Sequence, residues 1–193
     1  MKNLLIILII AFGIYYLSTQ SGASGVANNI EFDGEDVIYK DDVYATQWTS
    51  RSKEISGYVR EIKAVDMRIM PIVTYSIVAT TGDYSNPERV IINKVGAGYK
   101  ISYVQAKGMP EGSIIIYHLI PLNAEVQKNL ERIERGDDFK LTARISKAGL
   151  IKSSTAKYQL SSYKPNEYVR IKMENVANAN YQLILLVERV DYL

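Results

Sequence analysis

The sequence lacks cysteine altogether and contains a single histidine, His118. Without cysteine there are no disulfides, thiolate nucleophiles, zinc fingers or iron–sulfur clusters, and one imidazole cannot build a histidine cluster for a transition metal. An excess of one charge is also missing, because 23 Lys and Arg are balanced by 21 Asp and Glu over 193 residues. Nucleic-acid-binding domains usually carry a clear basic excess. We therefore predict no cofactor and no nucleic-acid partner.

The longest apolar run covers residues 4–17. As a helix it is about 21 Å long, shorter than a hydrocarbon core of about 30 Å. The uncharged residues 18–20 can extend the helix, and its last aromatic residues suit the membrane interface. We predict an uncleaved anchor over residues 1–20, with a cleaved signal segment as the alternative. The predicted membrane-embedded residues are Leu4, Leu5, Ile6, Ile7, Leu8, Ile9, Ile10, Phe12, Ile14, Tyr15, Tyr16 and Leu17.

The flanking charge predicts the orientation of this segment. Lys2 is the only basic residue before the apolar run, and basic flanks stay in the cytoplasm. The rest of the chain is then expected outside the cytoplasm, anchored in the inner membrane of a bacterial cell and facing the periplasm or the cell exterior.

Residues 21–42 are predicted to be a flexible, partly acidic tether. Small and polar residues come first, and six carboxylates against one lysine follow between Glu31 and Asp42. A calcium loop is not indicated, because the twelve-residue ligand pattern is missing.

Residues 43–193 are predicted to form one mainly β domain, either a barrel or a sandwich. Residues 139–146 alternate between apolar and polar, and residues 113–120 have no polar side, which indicates a central strand covered on both faces. Further strands are predicted at 55–62, 72–79, 89–94, 99–105, 168–173 and 181–190. His118 is interpreted as a core histidine bonded to backbone. One capping helix is predicted at 124–135, with Asn123 as its N-cap.

Catalytic motifs are weak in this sequence. Ser154 and Lys157 have the Ser-x-x-Lys spacing of penicillin-recognising enzymes, but strand-like surroundings do not bring the amine under the hydroxyl. Carboxylates such as Asp83, Glu111, Asp137 and Asp138 could pair for glycoside hydrolysis. No catalytic residue is assigned.

Tyrosine is abundant, with fifteen copies, and several lie beside basic residues. Tyrosine and arginine are enriched in protein interfaces. The predicted interaction surface is Tyr58, Arg60, Tyr99, Lys100, Tyr103, Tyr168 and Arg170.

A series of short motifs runs along most of the chain after residue 57. They are Gly57-Tyr58-Val59, Asn86-Pro87-Glu88-Arg89-Val90, His118-Leu119-Ile120-Pro121, Gly136-Asp137, Ser153-Ser154 and Val187-Glu188-Arg189-Val190. Their order resembles a family of small bacterial proteins of unknown function with one N-terminal membrane segment. The resemblance implies membrane tethering and a β-rich extracytoplasmic domain.

These observations predict a membrane-anchored, non-enzymatic binding or scaffold protein, an accessory subunit of an envelope complex. Its expected partners are the membrane and other envelope proteins or further copies of itself. A ligand- or glycan-binding β module is the first alternative, and an envelope hydrolase using carboxylates or Ser154 and Lys157 is the second.

Overall fold

The computed structural model describes residues 29–40, 42–45, 47–65, 71–95, 98–146, 150–152, 159–160, 171–173 and 181–192. Within these ranges the chain is mainly β, with thirteen strands and one α-helix. The elements are β1 (Ile30–Phe32), β2 (Val37–Tyr39), β3 (Asp42–Ala45), β4 (Lys53–Ala64), β5 (Tyr75–Gly82), β6 (Val90–Val95), β7 (Gly98–Tyr103), β8 (Gly112–Pro121), α1 (Ala124–Leu130), β9 (Asp138–Ile145), β10 (Leu150–Lys152), β11 (Gln159–Leu160), β12 (Ile171–Met173) and β13 (Tyr181–Tyr192).

Five strands close into a barrel in the order β13-β8-β5-β4-β9, so the barrel alternative of the prediction is confirmed. Four of the five strand pairs are antiparallel, and β13 pairs with β8 in parallel. Numbered along the chain, the barrel strands neighbour one another in the order 1-2-3-5-4-1, with α1 between the third and fourth. This connectivity is that of the oligonucleotide/oligosaccharide-binding (OB) barrel.

The barrel interior is filled by side chains that alternate along each strand. In β9, Phe139, Leu141 and Ala143 face inward and are almost fully buried, as the two-residue pattern predicted. Helix α1 closes one end of the barrel through Val126 and Leu130.

Helix α1 begins as predicted but ends early. The Asn123 side chain accepts a hydrogen bond from the Val126 amide at 3.0 Å, so the predicted N-cap is confirmed. The helix stops at Leu130 instead of residue 135. Residues 131–136 form turns, in which the Asp137 carboxylate accepts from the Glu134 amide and Gly136 has φ +102°.

Two further sheets cover the outside of the barrel. The three-stranded sheet β12-β7-β6 packs on Val78, Ile114 and Ile116, and the five-stranded sheet β1-β2-β3-β10-β11 packs around Ile120 and Ile184. Both clusters share the outer face of β8. The prediction that β8 is covered on both faces is therefore confirmed.

The β6–β7 hairpin is an excursion between the second and third barrel strands. The chain leaves the barrel at Gly82 and returns at Gly112, and these two glycines pair across the strands. They have φ +60° and +124°, and a Cβ on Gly112 would lie 2.1 Å from the Thr81 carbonyl oxygen. Only glycine fits this crossing point.

Ordered β structure starts upstream of residue 43, where the sequence predicted the domain to begin. Strands β1, β2 and the first residue of β3 lie in the predicted tether. Val37 and Tyr44 are buried beneath the five-stranded sheet, and Arg144 stacks over the Phe32 ring at 5.3 Å. The acidic residues Glu31, Asp33 and Glu35 are exposed, so their charges do not conflict with the strands of this segment.

Among the described residues, no helix has the length and apolar character needed to cross a bilayer. The predicted anchor at residues 1–20 lies outside those residues.

Candidate functional site

A row of polar side chains crosses the outer face of the barrel between the two covering sheets. Lys63 on β4 pairs with Ser76 on β5, which in turn pairs with His118 on β8. Gln182 on β13 completes the row. Ser76, His118 and Gln182 are only 5–6% exposed.

The hydrogen bonds of this row determine the state of His118. The Nδ1 atom lies 2.8 Å from the Ser76 hydroxyl, and Nε2 lies 3.3 Å from Gln182 Oε1. Since the amide oxygen can only accept a hydrogen bond, Nε2 carries the proton, and Nδ1 accepts a hydrogen bond from the Ser76 hydroxyl. The prediction of a buried histidine is confirmed, but its predicted backbone partner is wrong, because the backbone groups of the barrel strands pair with one another.

A serine hydroxyl bonded to a neutral imidazole is the pairing used to activate nucleophilic serines. Here Ser76 is only 6% exposed, so a substrate carbonyl has little access to its hydroxyl. The row therefore satisfies polar groups where the two apolar clusters meet.

Acidification is expected to destabilise the protein through His118. Burial lowers the pKa of the imidazole, the Gln182 bond opposes this shift, and the Lys63 charge lowers the pKa further. As pH falls, the imidazole of the unfolded chain therefore takes up a proton before that of the folded chain. The contribution of His118 to the free energy of unfolding is complete above about pH 6.5 and decreases as pH falls toward the pKa of the folded state, by at most about 1.4 kcal/mol per pH unit. Urea midpoints between pH 8 and pH 5 measure this slope. The variant His118→Gln should have a flatter profile in that range, and an equally steep one contradicts the prediction.

Two residues of the predicted interaction surface come together on β4. The Arg60 guanidinium lies 5.8 Å from the centre of the Tyr58 ring. It donates to the Val90 carbonyl oxygen at the start of β6. Burial lowers the pKa of Arg60, the neighbouring Tyr58 raises it, and the positive charge of Arg135 lowers it. This pair therefore lies at the junction between the barrel and the three-stranded sheet.

Three further residues of the predicted interaction surface, Tyr99, Lys100 and Tyr103, lie on β7. Tyr103 pairs with Val90 across the β6–β7 ladder, but its ring packs into the cluster beneath the sheet. It contributes to the core as well as to the surface. Tyr99 and Lys100 lie on β7 opposite Lys94 and Asn93, as their backbone pairing shows. The predicted Tyr168 and Arg170 lie outside the described residues.

Arg89 is a buried charged residue that sequence reasoning missed. It is 7% exposed, and its Nε lies 3.1 Å from Asp83 Oδ2. Its Nη2 donates to the Lys107 and Gly108 carbonyl oxygens at 2.8 and 3.1 Å, and Nη1 lies 3.4 Å from the Val104 carbonyl oxygen. This guanidinium fixes the loop that follows β7. No spacing in the sequence signals it, because an isolated arginine is normally exposed.

The unit held by Arg89 also carries exposed apolar side chains. Ile91, Val104 and Met109 are 52%, 41% and 62% exposed, and they are the exposed large hydrophobic residues of the described chain. Ile91 lies on the face of β6 opposite to Val90 and Ile92, which pack inward. We call Ile91, Val104 and Met109 the apolar tip.

Two of the four carboxylates considered for hydrolysis, Asp83 and Asp137, accept backbone amides. Asp83 accepts the Glu111 amide at 3.0 Å, and this bond, followed by the Arg89 guanidinium, lowers the pKa of Asp83. A general acid needs a raised pKa instead. Asp137 accepts the Glu134 amide, and Asp138 pairs with Tyr58 at the start of β9. Ser154 and Lys157 lie outside the described residues.

In the part of the chain that the structure describes, no three His, Asp or Glu side chains come together as metal ligands.

Comparison of the chain with protein-family models, with curated proteins and with solved structures finds no match. The resemblance to small single-pass bacterial proteins stays a prediction from the motifs.

Proposed function

We propose that this chain is a membrane-anchored, extracytoplasmic binding protein that serves as a non-enzymatic scaffold or accessory subunit of a bacterial envelope complex. The apolar run at residues 4–17 and the lone Lys2 support the anchor and its orientation. The proposed partners are other envelope proteins or further copies of the chain.

The covered outer face of the barrel is the observation that carries this proposal. OB barrels bind ligands mainly over their second and third strands, which correspond to β5 and β8 here. In this chain the β6–β7 layer and the N-terminal sheet pack on that face through Val78, Ile116 and Ile120. Because the usual ligand face of the barrel is covered, the outer surfaces of the two covering sheets are what remains for binding. This favours a protein-binding role.

The two alternatives receive less support from the same geometry. A glycan- or ligand-binding module needs an open aromatic groove, whereas Tyr103 packs inward under its sheet. The hydrolase alternative relies on carboxylates or on Ser154 and Lys157, and among the described carboxylates Asp83 and Asp137 already accept backbone amides.

The experiment that tests the proposal is native mass spectrometry of the full chain, extracted in mild detergent from its own membrane. We expect the intact chain to carry further polypeptides in a fixed ratio. Tyr58→Ser should reduce the bound fraction, because it removes an aromatic side chain from the junction with β6. Lys128→Ser, at an exposed position of α1, serves as the control. A wild-type chain that is always monomeric contradicts the scaffold proposal.

A further inference from the structure

Strand β6 forms one end of the three-stranded sheet. In the order β12-β7-β6 it pairs with β7 alone among the described strands. A strand at the end of a sheet has a row of backbone N–H and C=O groups that no neighbouring strand bonds. Those groups are either satisfied within the chain or available to another strand.

The β6–β7 ladder shows which residues of β6 point outward. The Val104 amide donates to the carbonyl oxygen of Arg89, the residue opposite it, at 3.1 Å. Opposed residues in an antiparallel ladder alternate between hydrogen-bonded and non-hydrogen-bonded pairs. Counting on from Arg89, every second residue therefore bonds to β7. The residues between them, Val90, Ile92 and Lys94, turn their N–H and C=O groups away from β7.

The chain satisfies the first of these three residues itself. The Val90 amide donates to the Asn86 carbonyl oxygen at 2.9 Å, and the Val90 carbonyl oxygen accepts from the Arg60 guanidinium. Within the described part of the chain, the backbone groups of Ile92 and Lys94 have no such partner. The edge of β6 is therefore open over these two residues only.

A second copy of the chain fits this short opening. If two β6 strands lie antiparallel with a two-fold axis at Asn93, Ile92 of each copy faces Lys94 of the other, and all the open groups pair in N–H···O bonds. The satisfied Val90 then lies just beyond the end of the second β6, which stops at Val95. An extended segment longer than β6 would instead run past Val90, where both backbone groups are already bonded.

The same register suits the outer face of the sheet. Asn93 is exposed, and Ile91, which belongs to the apolar tip, is 52% exposed. The axis places Ile91 opposite Val95 of the second copy and Asn93 opposite its own counterpart. Both are non-hydrogen-bonded pairs of the new ladder, in which opposed side chains are closest. The pairing therefore covers an apolar side chain that otherwise faces water.

We propose that β6 pairs with β6 of a second copy, antiparallel and around a two-fold axis at Asn93, so that two three-stranded sheets join into one six-stranded sheet. This inference rests on the proposed binding role and specifies a second copy of the chain as the partner. The assembly stops at two copies, because a two-fold contact uses the same edge of both.

The absence of cysteine allows a test of this register. Asn93→Cys introduces a single thiol into the full chain, which is extracted in mild detergent and oxidised with copper–phenanthroline. The two Cα atoms across the axis are about 4.5 Å apart, within the range of a disulfide, so most of the chain should become a disulfide-linked dimer. The control is Ile91→Cys on the same exposed face. Its two thiols lie about 13 Å apart along the ladder and should stay mostly reduced.

A proline at residue 94 tests the backbone bonds. Lys94→Pro removes an N–H group that points outward and leaves the β6–β7 ladder intact. The symmetry doubles the loss to two hydrogen bonds, so the dissociation constant of the dimer should rise about thirtyfold. Lys94→Ala keeps the N–H group and should dimerise like the wild type. Analytical ultracentrifugation in detergent measures both, and equal dissociation constants for the two variants contradict the pairing.

The outcomes separate this pairing from the proposed binding role. If the cysteines at 93 and 91 cross-link equally, or if neither does, the pairing is overturned. If native mass spectrometry finds other polypeptides bound while the cysteine at 93 gives no cross-link, the pairing is overturned and the binding role stands. If the chain is also monomeric in native mass spectrometry, both proposals are wrong.

Discussion

Replacing Phe139 by alanine lowers the free energy of unfolding by about 3–5 kcal/mol, because the change leaves a cavity in the barrel. Phe139 is 1% exposed at the start of β9. Its ring meets the Tyr117 ring edge-on, with 6.2 Å between centroids. It also lies beside Gly57 on the neighbouring strand β4, so the truncation removes a contact to β4 as well as the contact to Tyr117 on β8 across the interior.

Urea denaturation of the full chain in detergent measures this effect through the single tryptophan, Trp48. The matched control is Lys140→Ala, the next residue of β9, whose ion pair with Glu54 is largely exposed. Exposed pairs contribute at most about 1 kcal/mol. Equal losses for the two variants contradict the assignment of Phe139 to the barrel interior. Trp48 lies in the cluster under the N-terminal sheet, so its fluorescence reports on that sheet. Far-UV circular dichroism follows all the strands. If the two transitions coincide, this sheet and the barrel unfold together.

The parts of the fold that the sequence predicted are those that local burial controls. Residues 139–146 were predicted as a strand because one face of it fills the barrel, and residues 113–120 have no polar side because both faces of that strand are covered. Asn123 was predictable because an N-cap is a contact between residues three apart.

What the sequence missed depends on contacts between distant residues. Closure of the barrel needs β13 to pair with β8 in parallel, and no spacing along the chain predicts that neighbour. The short strands β1 and β2 were mistaken for a tether because three-residue strands leave little periodicity among six carboxylates.

The same distinction holds for the candidate site. Tyr58 and Arg60 were predictable as a pair two residues apart, but the Arg60 contact with Val90 depends on how the excursion folds back. Ser76, His118 and Gln182 meet only because their three strands are neighbours in the barrel.

Replacing Arg89 by methionine lowers the free energy of unfolding by about 3 kcal/mol and loosens the loop that follows β7. Methionine fills much of the same space but donates no hydrogen bond, so the Lys107 and Gly108 carbonyl oxygens lose a charged donor in a buried position. Hydrogen exchange should accelerate at the amides of Lys107, Gly108 and Glu111. The amides of β9 report only global unfolding and give the reference.

Two variants distinguish the geometry of this guanidinium from its charge. Arg89→Lys keeps the charge but not the fork of donors that reaches two carbonyl oxygens and Asp83, so it should recover only part of the loss. Arg132→Met, at an exposed position after α1, should change stability by less than about 0.5 kcal/mol. If the loop amides of the Arg89→Met variant exchange hydrogen at the wild-type rate, the loop does not depend on Arg89. If the loop does loosen, the Lys107 and Gly108 carbonyl oxygens depend on this guanidinium for their fixed position.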